Sequence, residues 1–203
     1  TAHVLTTLDD ICWTLNIRGN DIEFFPLVLS YAVITMDKVD LYINEAKLNS
    51  EIKADLEKDG VVLHPYNDIY EDIKKTASDE VLLIDPARLN YALYNNIPEG
   101  VAKVEERNPE ILFKAIKNEV EIENIRKAQI KDSVAHVKFM KWLKENVGKM
   151  TITEISASDK LDEFRAEQGN FIRPSFEPIS SYGEHGAIVH YTSTPETDVE
   201  LKE

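Results

Sequence analysis

Glu80-Val81-Leu82-Leu83-Ile84-Asp85-Pro86 is the stretch that decides the fold class. Four apolar residues run without alternation, as in a strand buried on both faces of a largely parallel sheet. Asp85 is then placed to cap a helix, and Pro86 falls just inside it, where a missing N–H costs no hydrogen bond. The same grammar extends outward. Strands are predicted over 28–34 and 39–43, with Met36-Asp37-Lys38 as the turn. A helix capped by Asn49 or Ser50 runs to about Asp59, and Gly60 ends it. A strand over 61–64 is closed by Pro65. Residues 68–76 read as helix, with Ile69 and Ile73 four apart, and 101–104 as strand. Such alternation of strand and helix predicts an α/β sandwich.

Near Asn108-Pro109 the pattern changes. Pro109 opens a short helix to Ile116, and 119–146 follow as one long helix or two. Lys127, Lys131, Lys138 and Glu145 share a stripe, read as a solvated face. Ile122, Ile125, Phe139, Met140, Leu143 and Val147 form a wide apolar arc opposite it. After Gly148, Thr151-Ile152-Thr153-Glu154 has the form of a capping box. Ala157, Leu161 and Phe164 mark one face of the helix it opens, and Gly169 ends that helix. Residues 171–191 read as strand, turn and strand.

The chain has 203 residues, 23 Lys and Arg against 37 Asp and Glu, and a net charge of −14. That balance argues against a nucleic-acid or anionic-membrane partner, which needs clustered cations. No apolar run approaches the ~20 residues of a membrane span, and no signal peptide is visible. The chain begins at Thr1, as a fragment or processed form would. The one cysteine, Cys12, lies in an apolar run and reads as a core thiol. Cysteine poverty fits a reducing, cytoplasmic setting. No P-loop, dinucleotide-binding glycine pattern, nucleophile elbow or zinc-type Cys/His spacing is present. His185 and His190, five apart, match no familiar metal spacing. His190 ends an apolar run, where it is either a satisfied structural histidine or a group presented to a cleft.

Phe176-Glu177-Pro178-Ile179-Ser180-Ser181-Tyr182-Gly183-Glu184-His185-Gly186-Ala187-Ile188-Val189-His190-Tyr191 resembles the aminopeptidase P segment ending in Gly-Ala-Ile-(Ile/Val)-His-Tyr. Leu8-Asp9-Asp10-Ile11-Cys12-Trp13-Thr14-Leu15-Asn16-Ile17-Arg18-Gly19-Asn20-Asp21 resembles a second stretch of that family. Lys114-Ala115-Ile116-Lys117-Asn118 and Thr153-Glu154-Ile155-Ser156-Ala157 match in order. The resemblance covers nearly the whole chain and points to the three-domain form.

The resemblance implies a creatinase-type α/β domain over 1–107, lacking its first helix, followed by the start of a pita-bread (α+β) catalytic domain over 108–203. It implies a metal-dependent Xaa-Pro aminopeptidase, which removes the N-terminal residue from peptides with proline second. Two divalent metals, manganese or zinc, would activate water and polarise the carbonyl. His190 falls on the family's active-site histidine, which is not a metal ligand. It would hydrogen-bond substrate near the scissile bond and stabilise developing charge. Phe176 falls where relatives place an aromatic beside the substrate's first side chain; the other reading is a core aromatic. Arg18 is placed to contact substrate or a neighbouring subunit, or else to hold a turn through an internal ion pair. Gln129 and His185 depart from the family's usual His and Asn, neither of them a ligand. The family's metal-binding Asp, Asp, His, Glu and Glu fall beyond Glu203, so no metal ligand is expected on these residues and the isolated chain is expected to be inactive. The intact protein is expected to be a homodimer. The alternative is a non-catalytic pita-bread scaffold that binds peptide or protein; a sister enzyme such as prolidase or creatinase fits the motifs less well.

Overall fold

The computed structural model describes residues 1–202. Contacts divide the chain into two units, Thr1–Ile116 and Lys117–Glu203. The first unit opens with β1 (Ala2–Leu5), α1 (Leu8–Thr14), β2 (Ser30–Ile34), β3 (Val39–Ile43), α2 (Ser50–Lys58) and β4 (Val61–His64). It continues with α3 (Ile69–Asp72, extended at both ends by 3-10 turns), β5 (Val81–Ile84), α4 (Tyr91–Asn96), β6 (Ala102–Glu105) and α5 (Glu110–Ala115). The strands form one mixed sheet in the order β4-β3-β2-β1-β5-β6. The hairpin β2–β3 and the pair β1–β2 are antiparallel, and the other three pairs are parallel. The connections from β3 to β4, from β4 to β5 and from β5 to β6 each carry a helix, as the alternating pattern requires.

Successive strand side chains point to opposite faces, so the sheet supports two cores. Val4, Tyr42, Leu82 and Ile84 pack with Ile69, Ile73, Leu93 and Ile97. Leu5, Ala32, Leu41 and Ile43 pack with Ile11, Cys12 and Leu56 on the other face. Cys12 is a core thiol, and burial pushes its pKa up. The Asp85-Pro86 expectation is corrected. Asp85 accepts the Ala87 N–H at 3.0 Å and closes one turn, while α4 starts at Tyr91 with Asn90 as its cap. The other Asp85 oxygen is taken by the Asn108 N–H at 3.1 Å, which ties this turn to the chain entering α5.

In the second unit, α6 (Glu119–Asn146) is a single helix of 28 residues, opened by a reciprocal capping box between Asn118 and Glu121. It packs on α7 (Glu154–Ala166). The box at the start of α7 is formed by Thr153 and Ser156, not by Thr151 and Glu154. The lysine stripe is a solvated face that also makes surface contacts with the end of α7. Lys131 donates to the Gly169 carbonyl at 3.3 Å and Lys138 pairs with Glu167 at 2.7 Å, where cations suit the end of a helix. Residues 171–191 contain no strand; their one regular element is a 3-10 helix, Gly183–Ala187. Strands need a ladder partner, and among the described residues this unit has one isolated bridge, Thr153 to Glu200.

Candidate functional site

The centre of the second unit is a buried carboxylate. Glu154, at the first turn of α7, is fully buried. Its Oε1 accepts the Tyr182 N–H at 2.5 Å and His185 Nδ1 at 3.0 Å. Its Oε2 accepts the hydroxyl of Tyr191 at 2.8 Å and shares that of Ser193, at 3.2 Å, with the Ser180 carbonyl at 2.7 Å. A carboxylate only accepts, so His185 carries a proton on Nδ1. Burial alone would raise the Glu154 pKa, but the bonds from Tyr182, Tyr191 and His185 outweigh it and hold the group below the usual range. The rings of His185 and Tyr191 stack with centroids 4.5 Å apart. Two stretches quoted from the sequence, Thr153–Ala157 and Phe176–Tyr191, are thus joined through one side chain.

His190 sits at the rim of this network. It is exposed, and its backbone is left-handed, φ +57°. Phe176 is 64% exposed, not a core aromatic. It lines a groove of about 690 Å³ with Phe139, Leu161, Phe171 and Pro178. Arg18 belongs to the first unit. Its Nη1 donates to the carbonyls of Cys12 at 2.9 Å and Ile17 at 2.8 Å, so it holds its turn through carbonyls rather than an ion pair. It borders a cavity of about 870 Å³ with Leu15, Ile43, Leu48, Asp55 and Leu56. The next residue, Gly19, has no room for a side chain: an added Cβ would lie 2.8 Å from that of Val28.

A second polar cluster lies in the first unit and was not foreseen from the sequence. Buried Asp10 accepts from Thr7, Asn108 and Lys114 at 2.7, 3.0 and 2.6 Å. Burial opposes its ionisation, but these bonds prevail and lower its pKa. His3 Nδ1 lies 3.3 Å from Glu110 Oε1, and its Nε2 lies 3.3 Å from Asn108 Oδ1. The Asn108 amide nitrogen already donates to Thr7 and Asp10, so its oxygen faces His3 and both imidazole nitrogens meet acceptors. Burial would lower the His3 pKa, but Glu110 and Asn108 raise it. Glu110 Oε2 is buried with no hydrogen-bond partner among the described residues.

Among the described residues no group of three or more His, Cys, Asp or Glu is placed to hold a metal ion. His185 is committed to Glu154. No helix among them is long and apolar enough to cross a membrane.

Residues 1–121 match the creatinase/prolidase N-terminal domain. The chain belongs to that family. Residues 123–203 of this creatinase/prolidase-family chain match metallopeptidase family M24. The probable Xaa-Pro aminopeptidase P of Neurospora crassa is 37% identical over 201 residues, 94% of this chain and 29% of the relative. Xaa-Pro aminopeptidase 1 of Dictyostelium discoideum is 40% identical over 194 residues, 93% of this chain and 30% of the relative. The chain thus spans about a third of the length of the curated relatives it matches. An X-prolyl aminopeptidase structure from Caenorhabditis elegans, described as a cytosolic enzyme with a di-nuclear active site, superposes with a TM-score of 0.92 at 33% identity. That match covers 99% of this chain and 34% of the other. A Bacillus anthracis Xaa-Pro dipeptidase, at 19% identity and a TM-score of 0.56, shares the fold. The aminopeptidase P resemblance and the α/β, creatinase-plus-pita-bread fold both hold.

Glu154 was missed as a site residue because Thr-x-Thr-Glu reads locally as a helix cap. The available signal was its place inside a stretch that matched the family as a block.

Proposed function

We propose that this chain is part of a metal-dependent Xaa-Pro aminopeptidase, which removes the first residue from peptides with proline in second position. The observation that carries the reading is His190. It is exposed on a constrained backbone, in a segment matched to M24 metallopeptidases. An imidazole so placed donates a hydrogen bond to a substrate carbonyl or amide and stabilises charge as it develops. Phe176, exposed on its groove, offers an apolar contact to the substrate's first side chain. Arg18 retains the role of a contact to substrate or a neighbouring subunit. The intact protein is read as a cytoplasmic homodimer with two divalent ions, manganese or zinc, held by residues other than those described here. The domain assignment follows the same reading, creatinase-type over 1–107 and pita-bread over 108–203.

The test is hydrolysis of an Xaa-Pro-Xaa tripeptide by the full-length gene product with Mn²⁺, against an Xaa-Ala-Xaa control. Cleavage confined to the proline peptide is expected, and His190→Ala lowers kcat by about 10²–10³, the cost of losing one charge-stabilising donor. Full-length protein that binds the peptide without cleaving it would favour the scaffold reading instead. The 203 residues alone are expected to cleave nothing, and robust Mn²⁺-dependent turnover by them would overturn that part.

A further inference from the structure

The reading above gives Glu154 no task, yet it is a fully buried carboxylate that collects four donors from one later segment. Those donors bracket His190. Tyr182 and His185 precede it, while Tyr191 and Ser193 follow it. The stacked rings of His185 and Tyr191 close the bracket directly across the intervening turn. Between them His190 holds φ +57°. Histidine enters the left-handed region more readily than most residues, but its Cβ still crowds the following carbonyl there. Such a conformation persists when its surroundings over-determine it, and it tends to mark a functional position.

We infer that Glu154 is the positioning residue for His190. One buried carboxylate fixes the chain on both sides of an exposed imidazole, so the imidazole is aimed without being engaged by the clamp. A carboxylate suits the task because each oxygen accepts two hydrogen bonds here, and charge-assisted bonds are stronger than neutral ones. A side chain that only filled the core would leave four polar groups without a common partner. The functional consequence rests on the reading of His190 as an active-site residue; the mechanical claim does not.

The experiment uses ¹⁵N relaxation on the 203-residue chain, comparing wild type with Glu154→Gln and Tyr191→Phe. The His190 backbone order parameter is expected near 0.85 in the wild type, falling below about 0.6 in Glu154→Gln, with the α7 amides unchanged. Tyr191→Phe, which keeps the stacking but removes one bond to Glu154, moves it less and in the same direction. A folded Glu154→Gln with unchanged order at His190 overturns the proposal. Should that variant not fold, Tyr191→Phe and Ser193→Ala decide it by the same readout. In the full-length protein, Glu154→Gln is expected to lower kcat at least tenfold with KM little changed, and to add nothing on a His190→Ala background. Lost order at His190 with no effect of His190→Ala on turnover would retire the catalytic reading and leave the positioning role intact. Unchanged order with a damaging His190→Ala would do the reverse.

Discussion

Gly19 shows how one residue carries a constraint that looks functional in sequence. Its N–H donates to the Pro26 carbonyl at 3.1 Å, and the Asp21 N–H donates to that of Leu27 at 3.1 Å, so the chain folds back tightly here. A Cβ at Gly19 would sit 2.8 Å from Val28 Cβ and 3.0 Å from the Leu27 carbonyl oxygen, both on relatively fixed backbone. Gly19→Ala is therefore expected to destabilise the first unit by about 1–3 kcal/mol, the usual cost of overpacking. A urea midpoint equal to wild type would refute this account. Arg18 beside it spends one guanidinium nitrogen on two carbonyls, so part of its presence in the Asn-Ile-Arg-Gly stretch is structural. Part of the residue chemistry that depends on local spacing was readable in advance: Asn49 caps α2, Gly60 follows it at φ +81°, and Cys12 is buried, whereas the caps assigned to Asp85 and Thr151 were not the ones used. Chemistry that depends on distant partners was not readable. Glu154 meets residues 28 to 39 positions away, and nothing local to Thr153-Glu154 announces them.

Elements inherit the same division. Strands in the first unit were visible because their apolar runs are bounded by turns, and their partners lie nearby in the sheet. Residues 171–191 share that composition but take irregular structure, since no strand among the described residues of this unit offers them a ladder. The tie between β1 and α5 is another long-range feature, made by His3 and Glu110 with Asn108 between the elements. Its pH dependence follows from the sign of the shift. The folded-state pKa of His3 is raised, so its contribution is full below the unfolded value of about 6.5 and is lost as pH rises through the folded value. Asp10 on α1 and Glu110 and Lys114 on α5 are the charged groups around it, and Lys114 is paired with Asp9 and Asp10. Thermal midpoints taken from pH 5.5 to 9 should decline in the wild type and decline less in His3→Gln. Parallel profiles would remove His3 from this role. Glu154 gives the opposite dependence. Its pKa is depressed, so its contribution is present above about pH 4.3 and is lost as pH falls through the folded value. Glu154→Gln should cost about 1–3 kcal/mol at neutral pH and lose less on acidification than the wild type. An equal acid loss in both proteins would show that the carboxylate is not the group responsible.

At the scale of the whole molecule the two units differ in what they bury. Among the described residues, nineteen of the twenty-three buried hydrophobic residues lie in the first unit, and the second has Ala135, Ile152, Ala157 and Tyr191. The first unit has a sheet covered on both faces, and its polar cluster ties α1, β1 and α5 together. The second unit leaves Ile125, Ile130, Val137 and Met140 of α6 at least half exposed. Burial of apolar area is the main favourable term in folding, at about 25 cal/mol per Å². A unit with four buried apolar residues has little of it to set against the entropy of ordering its chain. Residues 1–116 alone are therefore expected to unfold in one cooperative transition, with midpoint close to that of the same unit in the 203-residue chain. Residues 117–203 alone are expected to keep the far-ultraviolet helix signal of α6 and α7, to bind a hydrophobic dye on the exposed face of α6, and to melt below the midpoint of the first unit. A cooperative, dye-silent 117–203 would show that the Glu154 network organises this unit without a closed apolar core. That result would place more of the unit's stability in the buried carboxylate and its four donors than burial alone assigns to it.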